Sequence, residues 1–148
     1  MYPAAVGTSF IVQQETSGTG QFTGAEYGRA RVTIPNLSSD ANAAVRIAAK
    51  LFGSLANGLT IQFIDRGSGN TVSETTVEQV GTLIRVYLRR GSSGSPLATA
   101  AEVAGLLNAY ARYTSIPIAA VAGGTGLGLC TAAGPTALSG GKNYWGFI

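Results

Sequence analysis

The chain has 148 residues, ten Lys and Arg, seven Asp and Glu and no His, so one domain with a net charge of +3 is expected. Without His there is no Ser-His-Asp triad, His general base or His metal site, and the single Cys130 excludes an internal disulfide or a multi-thiolate zinc site. Apolar residues make up 45% and charged residues 11%, which excludes charge-driven disorder and leaves too few charges for the usual soluble surface, about 25–35% charged. Either uncharged polar groups form that surface, or other protein covers much of it.

Residues 1–41 read as an extended N-terminal arm. Ser9–Gln13 and Arg29–Ile34 are short strand candidates, and the Gly/Thr/Gln stretch between them has turn chemistry. Residues 42–148 read as a single domain. Ala43–Leu51 alternates, with Val45, Ile47, Ala49 and Leu51 on one side, and predicts a half-buried strand. A helix with a stripe of Val45, Ala48, Ala49 and Phe52 is the competing reading. Asn57-Gly58 supplies a turn, and Leu59–Asp65 alternates again. Thr71–Val80 suits an exposed strand. Thr82–Arg89 is the clearest strand, with Ile84, Val86 and Leu88 facing one way.

One main helix is predicted at about 99–113. Thr99 and Glu102 have capping-box spacing, and Val103, Leu106, Leu107 and Tyr110 form its apolar stripe. Ile116–Ala122 follows as a short buried strand. The remainder is Gly/Ala/Thr-rich and closes on an aromatic tail, Tyr144, Trp145 and Phe147. The fold class is therefore α+β: a two-layer sandwich of a mostly antiparallel β-sheet with one helix, plus the arm.

Few residues point to chemistry. Gly123-Gly124-Thr125-Gly126-Leu127-Gly128 is a loop of the kind that can cradle phosphate. It lacks a following Lys-Ser/Thr, and Leu129 stands where a dinucleotide fingerprint has its third Gly, so turn-forming glycines are the better reading. Glu74 and Glu78 share one side of a strand and read as solvated. Asp65 ends a strand, and Glu102 serves its cap. Cys130 has no base to activate it and reads as a small buried residue. No enzyme activity, cofactor or metal is expected. The eight Arg are scattered, with only Arg89 and Arg90 adjacent, so no nucleic acid is expected. The uncharged run from Tyr113 to Gly141 is broken by Pro117, Pro135 and glycines, so no membrane span is expected. From Met1-Tyr2-Pro3 no secretory signal is expected, and the Asn36-Leu37-Ser38 glycosylation pattern is expected to be accidental.

The stretch from Ala43 to Asp65, a strand followed by Gly53, Asn57-Gly58 and a second strand, resembles a pattern in virion proteins of tailed bacteriophages. The order continues with the 84–88 strand, the helix opened by Thr99 and the Leu138-Ser139-Gly140-Gly141 close. Residues 42–142 thus resemble small head-decoration (cement) proteins and domains of tail-sheath and tail-tube-associated proteins, although the pair at 57–58 is Asn-Gly where the pattern has Gly-Asn. The resemblance implies a non-enzymatic shell or tube component located in the virion and assembled in the host cytoplasm. A capsid decoration protein bridging major capsid subunits fits one module with an arm best. A tail or neck component is the alternative, and a small ligand-binding module the distant one. The implied partners are the major capsid protein or other virion proteins, together with further copies of the chain. Candidate interface residues are Tyr2, Phe10, Ile11, Phe22 and Tyr27 in the arm, and Tyr144, Trp145 and Phe147 in the tail. The tail either caps its own domain or inserts into a partner.

Overall fold

A computed structural model describes residues 28–35, 40–110 and 117–143. In chain order they form β1 (Arg31–Ile34), a 3-10 turn (Ala41–Ala43), β2 (Val45–Ala49), β3 (Thr60–Ile64), β4 (Thr76–Val80), β5 (Leu83–Tyr87), α1 (Ala100–Tyr110), β6 (Ile118–Ala122) and β7 (Ala133–Ala137). The fold is α+β and mostly sheet, as the alternating segments predict. One sheet has the order β1-β2-β6 and is antiparallel throughout. The other has the order β4-β5-β3-β7, antiparallel except for the parallel pair β3 and β5.

Periodicity decides which side chains go inward. Val45, Ile47 and Ala49 of β2, Ile61 and Phe63 of β3, and Ile84 and Val86 of β5 are all buried, and their neighbours along each strand are less so. This is the strand reading of Ala43–Leu51, not the helical one. The strand stops at Ala49, so Leu51, expected on the inner row, is 63% exposed. β2 and β3, joined by the Gly-rich connection, belong to different sheets. β1 lies within the stretch read as arm, yet it pairs with β2 from Arg31↔Ala48 to Ile34↔Val45.

The two sheets are linked through Arg31 and Ser139, which exchange backbone hydrogen bonds. The helix α1 packs on β6, β2 and β4, and so spans the gap between the two sheets. Ala100, Val103, Ala104 and Leu107 are its buried residues. The predicted stripe is therefore rotated, and Leu106 and Tyr110 lie at its margin. The small alanines let the helix approach the Ala-rich strand β6 closely. Asn108 then acts as a surrogate neighbouring strand. Its side-chain amide donates to the Ala120 carbonyl, and its oxygen accepts the Ala120 N–H, each at 2.8 Å. The Tyr110 hydroxyl donates to Gln79 Oε1 and ties the helix end to β4.

Candidate functional site

The eight candidate interface residues, Tyr2, Phe10, Ile11, Phe22, Tyr27, Tyr144, Trp145 and Phe147, all lie outside the described residues. The structure does fix where the chain enters and leaves them. The Gly28 carbonyl accepts from both Gly53 N–H, at 2.9 Å, and Lys142 N–H, at 3.0 Å. Asn57 bonds Gly141 through both its side-chain atoms. Asn143 does the same to Ser54, accepting from its N–H and donating to its hydroxyl, both at 2.7 Å. Only a glycine fits at 141, because a Cβ there would stand 2.1 Å from the Gly53 carbonyl oxygen. Residues 28 and 143 therefore meet on one loop, 50–58. That loop exposes Leu51 (63%), Phe52 (48%) and Leu55 (75%). The Arg29 guanidinium lies 4.9 Å from the centre of the Phe52 ring.

The glycine loop is built into the fold. Gly123 N–H donates to the Ala44 carbonyl, Thr125 N–H to Asn42 Oδ1 and Gly128 N–H to the Asn42 carbonyl. The carbonyls of Gly126 and Gly128 accept the Ala101 and Ala100 amides, two of the first-turn donors of α1 that have no partner within the helix. A Cβ on Gly128 would lie 2.6 Å from Ala43 N, and one on Gly123 would lie 2.4 Å from the Ala41 carbonyl oxygen. These glycines close a backbone-to-backbone seam between residues 41–44 and the helix start.

Beyond Ile64 and Tyr87, the carboxyl ends of the parallel pair β3 and β5 carry the buried charge. Arg90 is 2% exposed. Its guanidinium donates to Asp65 Oδ1 and to the carbonyls of Gly91 and Gly94. Asp65 also accepts the Gly67 amide. The Arg90 hydrogen bond, then the Gly67 amide, holds the Asp65 carboxyl below its ordinary pKa. Beside it, Arg89 makes two bonds to Glu102, which also accepts the Thr75 hydroxyl. Arg89 is the largest cause of a lowered Glu102 pKa, with help from Thr75 and the Thr99 amide against the effect of burial. The Glu102 amide donates to Thr99 Oγ1, so the predicted cap forms. Its carboxylate has a second task, tying the helix to the 73–75 and 88–90 segments.

Cys130 is buried, and burial pushes its thiol up to about 11, away from nucleophilic use. An open groove of about 680 Å³ runs along Arg66, Asn70, Thr71, Ser73, Glu74 and Tyr87, where the Arg66 guanidinium stacks 4.6 Å from the Tyr87 ring. Among the described residues no three His, Cys, Asp or Glu cluster as metal ligands, and no helix is long and apolar enough to cross a membrane.

Comparison with known protein families, with curated proteins and with solved structures finds no match. The residues that sequence reasoning missed are Asp65 and Arg90 as a pair. The signal was present in parity: Ile61, Phe63 and Asp65 share one face, and Ile84, Val86, Leu88 and Arg90 another. Both charges continue inward rows, and neighbouring strands bring them together.

Proposed function

We propose that the chain is a structural component of a tailed-bacteriophage virion, a head-decoration protein that bridges major capsid subunits and stabilises the shell mechanically. The reading joins the resemblance of residues 42–142 to such proteins with one structural observation: the Gly28 carbonyl binds both Gly53 and Lys142. The 27 residues that precede Gly28 and the aromatic residues that follow Asn143 therefore start from one end of the body, beside exposed Leu51, Phe52 and Leu55. A body that gathers its apolar reach at one end suits one-sided attachment to a lattice.

The arm can span roughly 90 Å at about 3.3 Å per residue, enough to cross a subunit boundary. Many copies on one lattice then add avidity. The 11% charge content is compatible with a surface that other protein covers.

The test is the molar mass of the full chain by light scattering after size exclusion, followed by incubation with preformed shells lacking it. A monomer or trimer that binds the shells supports decoration. Rings or tubes of the chain overturn the head assignment in favour of a tail or neck component. A chain that neither binds shells nor assembles overturns the virion reading.

A further inference from the structure

We propose that Asn57-Gly58 is a one-way latch: the Asn57 amide holds the 138–143 segment on the body, and once that segment lifts away Asn57 deamidates and cannot hold it again. Asn57-Gly58 is the only Asn-Gly step in the chain. Such a step is the most reactive setting for an asparagine, because glycine leaves the following backbone nitrogen unhindered. The fold needs both residues. Gly58 sits at φ +91°, in the left-handed region that favours glycine. Asn57 donates from Nδ2 to the Gly141 carbonyl at 3.0 Å and accepts the Gly141 N–H on Oδ1 at 2.9 Å. A side-chain amide offers that donor and acceptor side by side, and a carboxylate does not.

The reaction needs only water, and Asn57 is exposed. The Gly58 nitrogen attacks Asn57 Cγ. A C–N bond forms and closes a five-membered imide, the Cγ–Nδ2 bond breaks, and Nδ2 leaves as ammonia with the proton from Gly58. Water then opens the imide at either carbonyl, leaving aspartate or isoaspartate at position 57. With the segment docked, both reacting groups are engaged. The Gly58 N–H donates to the Leu138 carbonyl at 3.1 Å, and Nδ2 is held by the Gly141 carbonyl. Both acceptors belong to the same segment, so one opening frees nucleophile and leaving group together. Afterwards a carboxylate at position 57 has no donor for the Gly141 carbonyl, and two acceptors face each other. Isoaspartate also adds a methylene to the backbone of the turn closed by Ala56 and Leu59. The latch belongs to the folded chain itself and does not depend on membership of a virion.

The full chain is incubated at mildly alkaline pH, folded and in guanidinium chloride, and conversion at Asn57 is followed by peptide mass mapping with detection of isoaspartate. Conversion in the folded chain should be at least about tenfold slower than in the unfolded chain, because it must wait for local opening. Gly141→Ala, whose methyl would run into the Gly53 carbonyl oxygen, should raise the rate in native buffer several-fold toward the unfolded value. If that variant loses its cooperative melt, Asn143→Ala, which removes both bonds to Ser54 without a clash, is read in the same way. Asn57→Asp mimics the product, and amide hydrogen exchange across 139–142 should be several-fold faster in it than in wild type. Equal rates in the folded and unfolded chain overturn the proposal. So do variants that fold but react no faster than wild type, and so does unchanged exchange in Asn57→Asp, since the amide would then hold nothing.

Discussion

At the scale of single residues, Arg90 carries the most consequence. A guanidinium has five donors in a planar fork, and here three acceptors surround it: the Asp65 carboxylate and the carbonyls of Gly91 and Gly94. Arg90→Met leaves all three without that donor and is expected to cost roughly 3 kcal/mol in urea unfolding, the range for breaking one side of a buried pair. Arg90→Lys should recover little, because an ammonium offers no fork. The Arg85–Glu78 pair is the internal control. Its side chains are 34% and 46% exposed, and Arg85→Ala should cost about 0.5 kcal/mol. The same chemistry sets the acid limit. Asp65 and Glu102 have lowered pKa values in the fold, so the unfolded chain binds their protons first as pH falls. Their contribution is fully present above about pH 4, the unfolded range, and is lost as pH falls through the lower folded values. Urea midpoints should therefore stay level between about pH 5 and 8 and fall below about pH 4. Asp65→Asn, less stable at neutral pH, should show a shallower acid slope, and an equal slope would remove Asp65 from the account.

At the scale of elements, the glycine loop and α1 make opposite predictions for one chemical change. Gly128→Ala places a methyl 2.6 Å from Ala43 N and 2.7 Å from the Asn42 carbonyl carbon, both backbone atoms that cannot turn aside. The seam must open, and with it the bonds to the Ala100 and Ala101 amides, so a loss of about 2 kcal/mol is expected. Gly105→Ala on α1 meets nothing within 4 Å and should raise stability by about 0.5–1 kcal/mol by restricting the unfolded chain. Thermal melts of the two variants should move in opposite directions. The elements also show which features of the fold could be read beforehand. β2, β3 and β5 were legible because one face is buried and the side chains alternate. β7 was not: Ala133-Gly134-Pro135-Thr136-Ala137 has no alternation, and its Pro and Gly argue against a strand. It exists because β3 supplies its hydrogen bonds, a non-local cause. The parallel pairing of β3 with β5 is non-local in the same way. The helix was legible, but its inner face was not, because Ala100 and Ala104 face the core through close approach and not through size. Of the polar cluster, parity placed Asp65 and Arg90 inward, while their charge argued for solvent. Only the pairing of the strands resolves that conflict.

At the scale of the molecule, the edge strands of the described sheets are β1 and β6 in one and β4 and β7 in the other. The edge of β6 is occupied at Ala120 by Asn108, and β1 is bridged through Arg31 to Ser139 next to β7. β4 is tied to α1 through Gln79 and Tyr110. The β4 contact is between two side chains and does not occupy the outer backbone edge of that strand. Among the described residues the core is assembled from residues 30–138, with Ile34, Ile47, Ile61, Ile84, Leu107 and Leu138 all below 2% exposure. Removing residues 1–27 should therefore leave a cooperatively unfolding body with the circular dichroism of its sheets and helix. The cut must stop there: the Gly28 carbonyl joins loop 53 to segment 142, and Ala30 is fully buried. Under the decoration reading, the shortened chain should melt near the full-length midpoint while its binding to preformed shells falls sharply. Loss of the cooperative transition would make the arm part of the core and remove it as a connector. Full shell binding without it would shift the attachment to the end that bears Leu51, Phe52 and Leu55, where Gly28 and Asn143 meet.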